Sequence, residues 1–522
     1  VSPSHARSSQ LRRRTLSASF GIVLVGIMVF AGASAANAES YDPITGTGST
    51  WSQNALDQWR KNVASNYGMT VNYSGTGSSA GRRDYIGGTV DYAVSEIPFQ
   101  ANPEDGSPAE IPPRGYAYMP IVAGGTSFMY NLKIGGQRVS NLRLSGDTVT
   151  KIFSGAISKW NDPVIAADNP GLAMPDKTIT PVVRSDGSGS TAQFTLWMSK
   201  QYPSIWTTGM TSIFPGLAGS KGQSGSSGVA GYVSQDYGEG SITYVEYSYA
   251  LEAGFPVAKI LNAAGYYVEP TSSSVAVALL QAQIAGDLTQ ILDGVYNNAD
   301  PRTYALSSYS YMIVPTEVGG VFTVGKGKTL STFAKYMLCE GQQQAADLGY
   351  SPLPMNLVIA GFTQVARIPG TAVPAFDPSS CNNPTFKPGE DPNNNLLAQT
   401  APQPATCDKR GPDQCTTGTG GASATETAIS GTGNGGSASG SATGSSSASG
   451  ASTTAYDEYG NSVSGGTGVA GAVSASPFTL AQDSWGTPQN IMLAAGLFVV
   501  LAAVVPPFVA PQMQRLMQKR KR

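Results

Sequence analysis

Histidine is almost missing from this chain. Its 522 residues include one, His5, inside a stretch that reads as a removable leader. The rest of the chain has no imidazole, which excludes histidine-based triads, histidine general bases and mixed Cys/His zinc sites. Cysteine is scarce too. Cys339, Cys381, Cys407 and Cys415 are the full set, and none forms a CxxC pair. A structural metal is therefore not expected. An even count in an exported chain suggests disulfides, with the pairing left open. Charge is the third shortage, at 13% of residues. Between residues 39 and 490 there are 23 basic and 34 acidic side chains, a net charge of about −11. Such a surface argues against binding nucleic acid or an anionic membrane face. It leaves a small anion site open, because oriented N–H groups build one locally. Catalysis finds no support either. The carboxylates lack a metal-binding spacing, and Ser78 and Ser188 lack an identifiable base.

The two ends carry membrane signals. Arg12, Arg13 and Arg14 precede the apolar run from Phe20 to Ala33, and Ala36-Asn37-Ala38 has the small-x-small form of a cleavage site. Residues 1–38 are thus expected to be a signal peptide, with Glu39 first in the mature chain. Near the other end, Ile491 to Ala510 is twenty residues without a charge, broken by Pro506-Pro507. That length suffices for a transmembrane helix. The basic tail 511–522 would lie in the cytoplasm by the positive-inside rule. The expectation is an extracytoplasmic domain anchored in the cell membrane by a C-terminal helix. Before the span come a Cys-containing extension, 370–416, and a Gly/Ser-rich segment with juxtamembrane residues, 417–490. The composition of the latter cannot bury enough apolar area to order itself, so a disordered tether is expected.

What remains is globular sequence with mixed periodicity. Trp51, Ala55, Leu56, Trp59 and Val63 share one helical face, and Val149 to Trp160 repeats that style with Ile152, Phe153, Ile157 and Trp160. Val71 and Tyr73 alternate as in a strand, as do Val90, Tyr92 and Val94. An α/β fold with glycine-rich strand-to-helix turns is the economical reading. The stretch Arg184-Ser-Asp-Gly-Ser-Gly-Ser-Thr191 stands out. It follows an apolar strand-like run, Ile179 to Val183, and precedes a helical face made by Phe194, Trp197 and Met198. A helix start there offers free N–H groups and the positive end of the helix dipole. Ser188, Ser190 and Thr191 add hydroxyls, and Arg184 adds a forked, permanent charge. Gly46 to Trp51 and Gly75 to Gly81 are turns of the same kind. Three helix N-termini can converge on one tetrahedral anion.

With these segments in order, the chain resembles the periplasmic phosphate-binding proteins that feed phosphate ABC transporters. The resemblance rests on Gly46-Thr-Gly-Ser-Thr-Trp51, Asn72-Tyr-Ser-Gly-Thr-Gly-Ser-Ser-Ala-Gly81 and Gly88-Thr-Val-Asp-Tyr-Ala-Val-Ser-Glu96. It continues through Ile152 to Pro163, Val183 to Gly189, Gly228 to Tyr232 and Gly349 to Pro354. It implies a two-lobed periplasmic binding protein fold closing about a hinge. Lobe 1 would be 41–117 and 312–369, and lobe 2 would be 118–311. Tyr118 to Gly125 and Tyr309 to Pro315 would be the crossings. It also implies a ligand set. Thr50 would donate by hydroxyl and backbone, Trp51 by backbone and Ser78 by hydroxyl. Arg184 would make the charged contact, buttressed by Asp186, and Ser188, Gly189 and Ser190 would complete the cradle. Ser190 stands where the family usually has threonine, Trp51 where it has phenylalanine, and Glu96 where it has aspartate. That carboxylate would accept the ligand's own proton, which phosphate has and sulfate lacks. The implied partners are inorganic phosphate and an ABC permease, with no cofactor, metal or nucleic acid. The alternative expectation is a tethered component of another envelope or respiratory assembly, with weak or no anion binding.

Overall fold

A computed structural model describes residues 40–103, 106–374 and 376–422, together with the backbone of two short strands, Ala455–Tyr456 and Ser462–Val463. The expected leader, most of the expected tether, the expected span 491–510 and the basic tail lie outside the described residues. Among the described residues no helix is long and apolar enough to cross a membrane.

One eight-stranded sheet organises the molecule. In chain order its strands are β1 (Ile44–Gly48), β2 (Val71–Ser74), β3 (Tyr92–Ser95), β4 (Tyr116–Tyr130), β5 (Thr180–Arg184), β6 (Lys221–Gln223), β7 (Ser241–Glu246) and β8 (Ser307–Pro315). The spatial order is β2-β1-β3-β8-β4-β7-β5-β6. At one side β1 pairs in parallel with β2 and β3, and at the other β5 pairs in parallel with β6 and β7. Helices α1 (Gln53–Tyr67) and α2 (Ser78–Ile86) connect the first trio. After α3 (Gly146–Phe153), helices α4 (Gly189–Gln201) and α5 (Gly225–Ser234) connect the second. The result is two βαβαβ units, each with its first strand in the centre. In such units ligands sit beyond the carboxyl ends of the strands, where the helices begin.

The two long antiparallel strands β4 and β8 join the units, and both stretches expected as crossings fall within them. β8 pairs with β3 and β4 pairs with β7. The β4–β8 register slips between Ser310 and Tyr311, which pair with Val122 and Pro120 and leave Ile121 over. Proline has no N–H for the ladder, and an extra residue bends the strand and sharpens its twist. The kink therefore falls where the two units meet.

Local chemistry explains the elements. The face of α1 read from the sequence is the buried one: Trp51, Ala55, Leu56, Trp59 and Val63 are at most 1% exposed. Gly68, in the left-handed conformation with φ 65°, ends that helix by returning its N–H to Ala64. α3 stops sooner than the periodicity suggested. It ends at Phe153, and Ser154-Gly155 turns away with φ 82° at Gly155. Ile157 and Trp160 still reach the core, but from a turn.

The extension is folded. Disulfide Cys339–Cys381 staples it beside the end of α7 (Val324–Leu338), and Asn383 and Thr385 both donate to Leu353 O. Its short helix α8 (Leu396–Gln399) packs on α6 (Ser272–Leu279) through Ala398 against Ala276 and Val277. It then closes a second disulfide loop, Cys407–Cys415. Arg143 donates to Cys407 O and Asp413 O, and Lys259 forms a buried pair with Asp408 at 2.9 Å. The expected tether boundary at 417 needs correction in its first residues. Thr419 is buried, bonded to Ser140 O and Val257 N, because backbone pairing orders what composition could not.

Candidate anion-binding site

The turns after β1, β2, β5 and β6 meet between the two units. The β1–α1 turn carries Ser49, Thr50 and Trp51, and α2 opens at Ser78. The β5–α4 turn carries Arg184 to Ser190, and α5 opens at Gly225-Ser226. Contacts cross the cleft at several points. Ser79 N–H donates to Gly187 O at 3.2 Å, Gly189 N–H to Ser78 Oγ at 3.1 Å, and Ser226 N–H to Thr50 Oγ1 at 3.1 Å.

Arg184 is 3% exposed and held by a forked pair with Asp186. Its Nε donates to Oδ1 at 2.7 Å and its Nη2 to Oδ2. Gly225 N–H, the first of α5, also donates to Asp186 Oδ1 at 3.0 Å. Burial pushes the Asp186 carboxyl up, but the Arg184 hydrogen bonds and charge outweigh it and hold the group below the ordinary carboxylate range. Gly77, at φ 91°, lies so close that a Cβ there would stand 2.6 Å from Asp186 Oδ2. Only glycine lets α2 approach the arginine pair this closely.

The rest of the second unit's cradle is α4's first turn. Ser188 caps it, its hydroxyl accepting from Thr191 N–H. Ser190 is 2% exposed, and its hydroxyl has no protein partner. A buried, unpaired hydroxyl is costly and marks a place for something else to bind. Tyr244, from β7, braces the turn by accepting from Arg184 N–H and bonding Thr191 Oγ1 at 2.7 Å.

Across from this cradle stands Glu96, 1% exposed. The longer side chain does reach the cleft. Oε2 accepts from Ser78 Oγ at 2.8 Å, and Oε1 accepts from Ser310 Oγ at 2.9 Å and from Ser49 Oγ. A Cβ on Gly189 would lie 2.0 Å from Glu96 Oε2, so the carboxylate touches the start of α4.

The nine residues expected at the site fall in or beside this cleft, with Ser188 and Ser190 at the start of α4 and six others in two contact groups. Ser78, Glu96 and Gly189 form one, and Thr50, Arg184 and Asp186 meet around Ser226 in the other. Trp51 is placed differently from the expectation. Its N–H is taken by Ser49 Oγ at 2.9 Å, and its indole reaches Thr126 Oγ1. Three residues were missed. Ser49 sat inside a quoted motif without a role. Ser226 follows Gly222-Gln-Ser-Gly225, a fourth Gly/Ser turn before a helix, so a signal existed. Ser310 had none, since its place depends on strand register.

Comparison with known proteins decides the family. Residues 33–340 match the PBP superfamily domain. Phosphate-binding protein PstS of Xylella fastidiosa is 32% identical over 320 residues, covering 60% of this chain and 82% of that one. Phosphate-binding protein PstS 2 of Mycobacterium tuberculosis is 33% identical over 318 residues, covering 59% and 83%. This chain belongs to the PstS family of the PBP superfamily. Among solved structures, a soluble ancestral variant of the human phosphate binding protein aligns at 19% identity and TM-score 0.48, covering 64% of this chain and 100% of that one. The Stenotrophomonas maltophilia phosphate binding protein aligns at 17% and 0.48, covering 65% and 98%.

Another buried carboxylate of this PstS-family chain, Glu246, stands at the end of β7. Its Oε2 caps the next helix by accepting from Ser248 N–H at 2.6 Å. Its Oε1 has no protein partner, and burial pushes the group well above the ordinary carboxylate range. Gly124 on β4 and the Trp51 ring wall it in. Tyr247 and Tyr249 next to it are core residues.

Proposed function

We propose that this protein is an extracytoplasmic receptor that captures inorganic phosphate and delivers it to an ABC importer. One observation carries the reading. A buried arginine, two helix N-termini and the unpaired hydroxyl of Ser190 face an acceptor carboxylate across a cleft between two α/β units. The donor side suits a tetrahedral oxyanion, and the acceptor side suits one that keeps a proton. In this reading Arg184, fixed by Asp186, makes the charged contact. Thr50, Ser78, Ser188, Gly189 and Ser190 line the rest of the cradle, with the Ser190 hydroxyl as the unspent donor, and Glu96 accepts from the ligand. Sulfate has no proton to offer and would set bare charge against Glu96, which is costly in a buried site.

The lobes of the proposal are 41–117 with 312–369, and 118–311, hinged at the β4–β8 bulge. Because the donors are split between them, the full set of bonds exists only when the cleft is shut, so ligand selects the closed form. The two disulfides suit an oxidising compartment. A span at 491–510 would keep the receptor near its permease and raise its local concentration there.

A second reading has one observation in its favour. Ser78 and Ser49 already spend their hydroxyl protons on Glu96, and Ser49 takes the Trp51 N–H. A site satisfied from within binds anions weakly, as a tethered component of another envelope assembly would. Calorimetric titration of the full chain, stripped of bound anion, decides. Tight phosphate binding without sulfate binding is the expected outcome; binding of neither establishes the second reading.

A further inference from the structure

We infer that Ser310, on the hinge strand β8, is a positioning residue that aims the Glu96 carboxylate and thereby sets the selectivity of the site. The inference rests on the phosphate reading above. Its basis is register. β3 and β8 are antiparallel with Ser95 opposite Tyr311, so one step further places Ser310 opposite Glu96. Directly opposed residues are the closest side-chain neighbours in such a ladder. Ser310 Oγ lies 2.9 Å from Glu96 Oε1 and 3.0 Å from Ser52 Oγ, and all three residues are at most 1% exposed. A hydroxyl has one proton, and a carboxylate only accepts. Ser310 Oγ is placed to donate to either Glu96 or Ser52, and the charged carboxylate, the stronger acceptor, takes the proton.

The other two donors to Glu96 belong to the first unit. Ser49 comes from the β1–α1 turn and Ser78 from α2. Ser310 is the one donor on a strand that crosses between the units, and it sits at the bulge where the β4–β8 register slips. Bulges re-aim side chains. Here the bulge fixes the rotation of the acceptor relative to α4, whose Gly189 abuts Oε2. Without Ser310, Oε1 keeps Ser49 alone and the carboxylate is free to turn about Ser78. Discrimination between a protonated and an unprotonated oxyanion depends on that orientation, so selectivity suffers more than general anion attraction.

The test compares the unmutated full chain with Ser310→Ala, Ser310→Thr and Glu96→Gln, titrated with inorganic phosphate and with sulfate across pH 5 to 8 at fixed ionic strength. Ser310→Ala is expected to weaken phosphate binding roughly tenfold, the scale of one hydrogen bond to a charged group. It should narrow the phosphate-to-sulfate ratio and flatten its pH dependence. Ser310→Thr keeps the hydroxyl and should restore all three. In the double variant with Glu96→Gln, Ser310→Ala should cost little more, since its partner is gone. A purely structural serine would lower the melting temperature and leave ratio and pH profile unchanged, which overturns the inference while the phosphate reading stands. No phosphate binding by the unmutated chain overturns both.

Discussion

The two βαβαβ units of this protein are built alike and furnished differently. Each has three parallel strands with the first in the middle, and each ends its strands in Gly/Ser turns that open helices. The unit of β1 to β3 brings hydroxyls and one acceptor: Ser49, Thr50, Ser78 and Glu96. The unit of β5 to β7 brings the cation, locked to Asp186, and the first turn of α4 with the unpaired Ser190. In the function proposed above, one unit attracts and the other inspects. A repeated scaffold supplies helix N-termini on both sides, and a few side chains decide which side holds charge. Fold alone does not carry that division of labour; the residues at the turn tips do.

The largest effect should come from the attracting side. Arg184→Ala removes the cation and leaves the half-buried Asp186 without its partner. The expected cost is about 3 kcal/mol, roughly a hundredfold in phosphate affinity, measured by calorimetry. An unchanged affinity would mean that the second unit is not the attracting one. The same pair has a pH signature. Because Asp186 titrates below its ordinary value when folded, the pair's stability is complete above about pH 4 and is lost as pH falls through the lower folded value. Glu239 and Asp300 are held low as well, so melting temperature followed against pH should show an acid limb in both chains, shallower in Arg184→Ala.

Stability should divide between the two ends of the extension as well: Cys339–Cys381 staples one end beside α7, while Cys407–Cys415 only closes a loop within the other, which Arg143 and Lys259 hold. Cys339–Cys381 spans 42 residues and Cys407–Cys415 spans 8. Chain-entropy reasoning assigns about 4 kcal/mol to the longer loop and about 2.5 kcal/mol to the shorter. Replacing both cysteines of a pair by serine should therefore lower the denaturation midpoint more for the first. Equal losses would show that native contacts such as Lys259–Asp408 and the Arg143 bonds to the second loop outweigh loop length.

On the inspecting side, Glu96→Gln keeps the shape and loses the charge. The amide nitrogen cannot accept the ligand's proton, so phosphate affinity should fall by about 2 kcal/mol while sulfate, no longer repelled, gains. Competition calorimetry reads both at once. A fall for phosphate with no gain for sulfate would leave Glu96 a structural acceptor and remove the inspecting role.

How much of this was legible depends on the range over which each feature is determined. The buried face of α1 and the glycine-hydroxyl turns are local, so periodicity and spacing found them. The order of motifs carried the family, and with it Arg184, Asp186 and Glu96. The end of α3 was misjudged because Ile157 and Trp160 keep the apolar rhythm after Gly155 has already turned the chain. The segment near Thr419 looked unable to order itself, yet its backbone pairs with Ser140. Ser310 was out of reach: its role exists only once β3 and β8 lie in one register, a contact across 214 residues.

The smallest expected effect tests whether the two sides meet through Ser226. Its N–H donates to Thr50 Oγ1 at 3.1 Å, and its hydroxyl lies 2.9 Å from the same oxygen and 3.5 Å from Arg184 Nη1. It is thus a neutral link between inspector and attractor at the start of α5. Ser226→Ala keeps the backbone bond to Thr50 and removes only the hydroxyl. One neutral hydrogen bond is worth about 1 kcal/mol, so phosphate affinity should fall roughly fivefold. The loss should appear in the dissociation rate, because the hydroxyl acts once the cleft is shut. Stopped-flow release of phosphate measures it. A change confined to the association rate would place Ser226 on the path of entry instead of on the latch.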